Sequence, residues 1–535
     1  MAQTDLRKKA VQAQRIYADL AARLDMHLIP TTFVADERRK ELFEQFCTGE
    51  NPFPDSFAPV LANMRKDAVQ KLMTEEKIPQ TSAIAAVLAA CSSVATEIGA
   101  LRGDDTSGAE TFCDMAFAGA QAIRLYLANY TGEKFQAARF QSTARVLNAL
   151  NGALHKYHDK NGRYVSFHAY FMEQQRKLVE ALKLSKPYNQ YTLMSTKEDM
   201  QELAARMATL TAEELEELAF NCGACGCMLR DRKEWESSEV GQAVMAMPLV
   251  RVQRSAESDC PAWDRSTGAG PLSGLKVLDL THIIAGPACT RILAEYGANV
   301  LLVRRGTFIE QEQAMNEYDG WAGKHSIQLD FNVPDQLERA KELIRQADVV
   351  VYSYQNGAMD KFGLSEADIR ALNPSVIYAH LMCFSDTVWN DRPGWAPCAE
   401  DITGLSVRNG SMEQPVNLTG VPLDYFPGFI LALGTLQAIA QKLKEGGGYT
   451  VTTSLTRGAQ YLHECADLCE SPEEATLGSV AEHCDEDVWN QVLQYVDGCS
   501  IDGSCGFPGP ATVNTRYPMD LERQRFTDGS LGWER

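Results

Sequence analysis

Asp424 is the position in this chain where a reactive side chain and a useful neighbourhood coincide. It stands immediately before a long apolar stretch, 425–444. Aspartate at a helix start is a good N-cap, worth about 1 kcal/mol. The same position keeps a carboxylate ionised and offers backbone N–H groups to an oxyanion, so structural and chemical uses are compatible. A second candidate is the pair Arg304 and Arg305, which follows the apolar run 298–303. Two guanidinium groups at a strand end can grip phosphates bidentately, and can equally be solvated surface charge. Between these lies the segment 281–288, THIIAGPA, directly after the apolar run 275–280. Gly286 permits close backbone approach, Pro287 suits a first helical turn, and a helix N-terminus there would hold a phosphate. With one glycine the segment is not the dinucleotide fingerprint, which disfavours a nicotinamide or flavin cofactor.

Other clusters carry less chemistry. Cys222, Cys225 and Cys227 supply three ligands at most, and no histidines follow at zinc spacing, so buried structural thiols and no metal are expected. His463, Cys465 and Cys469 share one helix face and read the same way. No GxSxG occurs, which removes the usual serine hydrolase signature. With 51 Lys and Arg against 71 Asp and Glu, the net charge is −20. Such a surface repels nucleic acid backbones, while leaving room for a small anion held by local arginines. The first twenty residues have no apolar core, and Ser92, Ser93, Thr96 and Glu97 interrupt the apolar run 83–101. That run reads as a buried helix, and no membrane partner is expected. A cytoplasmic protein with reduced thiols is the expectation.

The elements that must position these residues divide the chain. Residues 1–253 read as mostly helical, with helices at 5–24, 34–46, 110–129 and 170–184 and one strand near 163–168. Thr211 and Glu214 form a capping-box pattern. A polar linker, 254–270, follows. Strands then alternate with helices through 271–382, at 275–280, 298–303, 325–330, 347–354 and 375–382, which predicts a parallel sheet covered on both faces. Residues 383–470 read as a smaller α+β domain with the long helix that carries Asp424. Residues 471–535 read as a tail with one helix near 485–497. The fold class is α/β: a Rossmann-like parallel-sheet large domain, a smaller α+β domain and a helical N-terminal half.

Six segments, in order, carry a resemblance: PLSGLKVLDLTHIIAGPACTRILAEYGANVLLVRR, GKHSIQLDF, ADVVVYSYQNGAMDKFGL, LNPSVIYAHL, GVPLDYFPG and GGGYTVTTSL. Over about 271–463 the chain resembles the family III CoA-transferases, the CaiB/BaiF group, which includes formyl-, carnitine- and succinyl-CoA transferases and the α-methylacyl-CoA racemases. The resemblance implies that Asp424 is a nucleophile that forms an aspartyl-acyl anhydride and then an aspartyl-CoA thioester. It implies coenzyme A as a substrate, with no tightly bound cofactor. It places CoA against Ile284, Ala285, Arg304, Arg305, Leu329, Asp330, Ser353, Tyr354 and Lys361. The chain departs from the family pattern after Arg392-Pro393-Gly394, where Trp395 and Ala396 replace Tyr-Asp or His-Asp. Trp395 becomes an acyl-pocket candidate and Glu400 a substitute acidic helper. No glycine-rich flap is found after residue 463. Segments 161–183 and 214–236 are similar to the family's C-terminal portion yet precede its N-terminal one, which suggests a degenerate first copy at 1–250. The resemblance implies a homodimer, although a two-copy chain can pair internally. An isomerase, epimerase or lyase using Asp424 as acid/base, and a non-catalytic homologue, are the alternatives to CoA transfer between an acyl-CoA and a carboxylic acid.

Overall fold

The computed structural model describes residues 2–38, 70–71, 73–74, 76–124, 129–130, 156–169, 172–187, 196–263, 270–304, 320–471, 475–484, 496–497, 505–507, 509–518 and 533. Its main sheet has seven strands: β1 (Arg251–Ala256), β2 (Lys276–Leu280), β3 (Asn299–Arg304), β4 (His325–Gln328), β5 (Val349–Tyr352), β6 (Ile377–Met382) and β7 (Gly448–Ser454). Runs such as VVVY and KVLDL are buried on both faces, which suits parallel strands covered above and below. The spatial order is β4-β3-β2-β5-β6-β7-β1. Every pair is parallel except β7 with β1, which is antiparallel. The order of strands reverses between β2 and β5, where Leu280 lies opposite Tyr352. Crevices for ligands form beyond the strand C-termini at such a reversal.

Four helices pack together beside that sheet. One, α1 (Gln80–Leu101), comes from the first half of the chain and is buried on nearly every side, its serines and threonines included. Next, α2 (Ala285–Glu295) follows β2, and α3 (Ala396–Thr403) precedes α4 (Pro422–Glu445). Buried along most of its length, α4 packs on α1, α2 and the sheet. Gly428 permits the closest approach: a Cβ there would lie 2.2 Å from the Ala285 carbonyl oxygen. A fifth helix, α5 (Leu455–Glu470), follows β7. A smaller three-stranded sheet, Lys156–His158, Tyr164–Phe167 and Gly226–Met228, has its own core around Val165, Phe167, Leu178 and Leu215.

Several boundaries differ from the expectation. The segment 110–129 opens as a strand, Thr111–Asp114, before the helix Met115–Ala122 begins. Asp114 stops the strand by capping that helix, its side chain accepting from Phe117 N at 3.0 Å. The linker 254–270 starts inside β1, so 254–256 belong to the sheet. The long helix assigned to 383–470 packs on the large sheet rather than forming a separate unit. The tail 471–535 contributes Ser479–Ala481 and Thr512–Asn514 to a four-stranded sheet with Thr31–Val34 and Thr111–Asp114. The helix expected at 34–46 lies outside the described residues beyond 38, and that at 485–497 does so up to 495. Thr211 and Glu214 form the capping box their spacing implied.

Candidate active site

A cavity of about 280 Å³ opens at the strand-order reversal. Residues 282–286 line it from the loop after β2, Ser353, Tyr354 and Gln355 from the loop after β5, and residues 381–383 from the end of β6. Residues 392–395 form another wall, and Gln174 and Cys225 reach in from the first half of the chain. Asp424 faces this space from the first turn of α4.

Asp424 is not the N-cap that its position before an apolar run suggested. Pro422 starts the helix one turn early, Val421 is the capping residue without a side-chain bond, and the Asp424 N–H donates to Val421 O at 3.0 Å. Its carboxylate is therefore left to the cavity. Among the described residues no group donates a hydrogen bond to it, and burial alone pushes its pKa up to about 7. The favourable field of a helix start is outweighed here by desolvation. At neutral pH the group is divided between an ionised and a protonated form.

His282 is a cavity residue that the sequence reading passed over in favour of its neighbours Ile284 and Ala285. Its ring stacks on Tyr354 at 4.3 Å between centroids, with 17° between planes. Burial drives its pKa down to about 4, so the imidazole is neutral. Among the described residues its buried Nδ1 meets no hydrogen-bond partner. The next residue, Ile283, has φ +69°. A β-branched residue in the left-handed region stores strain of order 1–3 kcal/mol. Gly286 then lets the chain fold tightly over Thr281 and Ser353, whose Cβ atoms a side chain at 286 would meet at 2.5 and 2.9 Å.

Beneath that loop lies a buried ion pair with no sequence signature. Lys324 Nζ donates to Asp279 Oδ2 at 2.8 Å, to Thr290 Oγ1 at 2.6 Å and to the Pro287 carbonyl at 3.0 Å. Asp279 in turn accepts from the Thr281 N–H at 3.0 Å. The network ties β2, the cavity loop and α2 to one point.

Of the expected site residues, the structure brings Ile284, Ala285, Ser353, Tyr354, Trp395 and Asp424 to the cavity. Others stand elsewhere. Arg304 turns inward, its guanidinium over the Trp321 ring at 4.9 Å and its Nε donating to Ser326 Oγ at 3.1 Å. Leu329 is core. Asp330 closes a turn, accepting from Asn332 N at 2.9 Å. Lys361 is exposed, over the Phe362 ring at 4.7 Å. Arg305 lies outside the described residues. Glu400 is not an acidic helper at the cavity. It is buried, accepting from Asn417 Nδ2 at 2.8 Å and Leu418 N at 2.9 Å, and burial pushes its pKa up to about 8. Arg392 is on the cavity wall, paired with Glu217 and lying over Trp389 at 4.4 Å.

Residues 272–480 match CoA-transferase family III. A curated relative, "Acetyl-coenzyme A transferase nodX" of Hypoxylon pulicicidum, is 32% identical over 252 residues, covering 44% of this chain and 42% of the relative. "Formyl-CoA:oxalate CoA-transferase" of Rhodopseudomonas palustris is 32% identical over 198 residues, covering 35% of this chain and 47% of the relative. The chain thus spans about half the length of the curated relatives it matches. A solved "CAIB/BAIF family protein" from Brucella suis shares 22% identity, with a TM-score of 0.34 over 44% of this chain and 65% of that one. Within the matched segment the cavity takes its loops from 282–286 and 353–355 and its carboxyl group from α4, while the first half of the chain, outside the segment, completes the wall.

Proposed function

We propose that this chain moves coenzyme A from an acyl-CoA thioester to a carboxylic acid, with Asp424 as the nucleophile. One observation carries the reading: a carboxyl group with no donor among the described residues faces the cavity at the strand-order reversal. The ionised Asp424 attacks the thioester carbonyl, and the C–S bond breaks to release CoA thiolate and leave a mixed anhydride. The thiolate attacks the Asp424 carbonyl carbon, giving an aspartyl-CoA thioester and freeing the donor's carboxylate. The acceptor carboxylate attacks that thioester, releasing CoA thiolate, and thiolate attack on the acceptor's acyl carbon regenerates Asp424. Each step exchanges one acyl bond for another, as covalent catalysis by a carboxylate requires.

Trapping tests this. Hydroxylamine added with acetyl-CoA converts the Asp424 thioester to a hydroxamate, located by peptide mass spectrometry. Unmodified Asp424 under turnover, or undiminished exchange in Asp424→Asn, sinks the proposal and favours a non-catalytic homologue. A second reading rests on His282: a neutral imidazole and a carboxyl group on one cavity can shuttle a proton at the carbon beside a thioester. Solvent deuterium appearing in an acyl-CoA without CoA exchange would select it. The free thiols among the described cysteines fit a cytoplasmic location, which is part of the same proposal. For the assembly, the interleaving of the two halves favours pairing within one chain over a homodimer.

A further inference from the structure

The two halves of the chain repeat one arrangement. In the second half α4 leads to β7, whose last residue, Ser454, caps α5 by accepting from Arg457 N at 3.0 Å. In the first half α1 leads to the strand Thr111–Asp114, whose last residue caps the helix Met115–Ala122 by accepting from Phe117 N at 3.0 Å. Each long helix begins at a proline, Pro79 before α1 and Pro422 in α4. Each strand has a parallel neighbour on one side, Thr31–Val34 in the first half and β6 in the second. Each has an antiparallel neighbour on the other side, and that neighbour is lent by the opposite half. Strand β1, late in the first half, closes the second-half sheet, and Thr512–Asn514, late in the second, closes the first-half sheet. The two long helices pack on one another, the Cys91 thiol reaching the Phe429 carbonyl at 3.8 Å. Reciprocal exchange about a shared helix pair is the organisation of a two-fold dimer, here written into one chain.

We infer that the chain is an internally paired molecule with one catalytic centre, its first half serving as the partner that walls the cavity. This rests on the reading of Asp424 as the working carboxylate. Matching Pro79 to Pro422 puts Thr81 at the place of Asp424. Thr81 is fully buried. Its hydroxyl donates to Glu76 Oε1 at 2.8 Å and its N–H to Oε2 at 3.2 Å. Glu76 is also paired with Lys9 at 3.2 Å. Where α4 meets a cavity, α1 meets a satisfied ion pair. Among the described residues the four-stranded sheet has no counterpart of the β2–β5 reversal. Gln174 and Cys225, both from the first half, stand on the Asp424 cavity, so the centre is incomplete without that half.

Sedimentation equilibrium and calorimetric titration of the full chain with acetyl-CoA test this together. The expected result is a 59.1 kDa species that binds one equivalent per chain. Two equivalents per chain, or activity found only in a species of twice that mass, overturns the inference. If the folded chain binds no acetyl-CoA, the CoA reading fails, while the sedimentation mass still decides the pairing: 59.1 kDa upholds it and a stable two-chain species overturns it.

Discussion

Lys324 and Asp279 form a 2.8 Å ion pair from which water is completely excluded. Burial draws the Lys324 pKa down, and Asp279 beside it opposes that fall. Lys324→Met would leave a buried carboxylate facing Thr281 and Thr290 without a counter-charge, at a cost of about 3–5 kcal/mol. Urea denaturation should show the midpoint falling steeply. The double variant Lys324→Met/Asp279→Leu should recover part of the loss, because the unpaired charge is gone. Equal loss in both would refute the account.

Asp424 should give the protein a distinctive pH dependence. Its folded pKa of about 7 lies above the ordinary value of 3.8, so the native state holds a proton that the unfolded chain releases. Stability therefore declines as pH rises between those two values, and Asp424→Asn should be the more stable protein at pH 8, on the order of 4 kcal/mol. Below pH 4 the difference should vanish. Thermal melts of both proteins across that range check the sign.

The rate of exchange should move the opposite way with pH. Only the ionised form attacks a thioester, so kcat/KM for the donor should climb through about pH 7 and then level. A flat profile from pH 5 to 9 would mean that the carboxylate is not the titrating nucleophile.

His282→Phe keeps an aromatic ring on Tyr354 and removes both nitrogens. Transfer should fall by less than about tenfold, since the ring's contribution is mostly stacking, worth of order 1 kcal/mol. A fall of a thousandfold, with any solvent deuterium wash-in lost alongside, would shift weight to proton transfer.

Gly428→Ala places a methyl against the Ala285 carbonyl and should push α4 away from the cavity loop. Overpacking of this kind costs about 1–3 kcal/mol. Because Asp424 sits one turn earlier, kcat should drop more than stability alone explains at a temperature where the variant remains folded.

The sheet was largely legible because its strands are runs such as Val349–Tyr352, where four consecutive buried residues announce a parallel interior. Asp424 was singled out by the family resemblance; a lone acid ahead of an apolar helix implied an N-cap, a place that Val421 holds instead. Strand Thr111–Asp114 was hidden, since four residues ahead of MAFAGAQA are too few to override a helical pattern. Arg304 misled because a strand-end arginine looks the same whether it meets phosphate or, as here, Trp321. Gln174 and His282 had no local signal at all; the cavity that gives them meaning is assembled from segments far apart in the chain.

The reciprocal strand exchange also sets a problem of timing for the ribosome. Among the described residues this edge of Thr111–Asp114 is covered by Thr512–Asn514, about four hundred residues later. At synthesis rates of about 5–20 residues per second, that edge stays bare for some 20–80 seconds in every nascent chain. An unpaired edge invites pairing with a neighbouring chain. Polysomes making this protein should therefore depend on chaperones that shield β-edges until residues 512–514 have emerged.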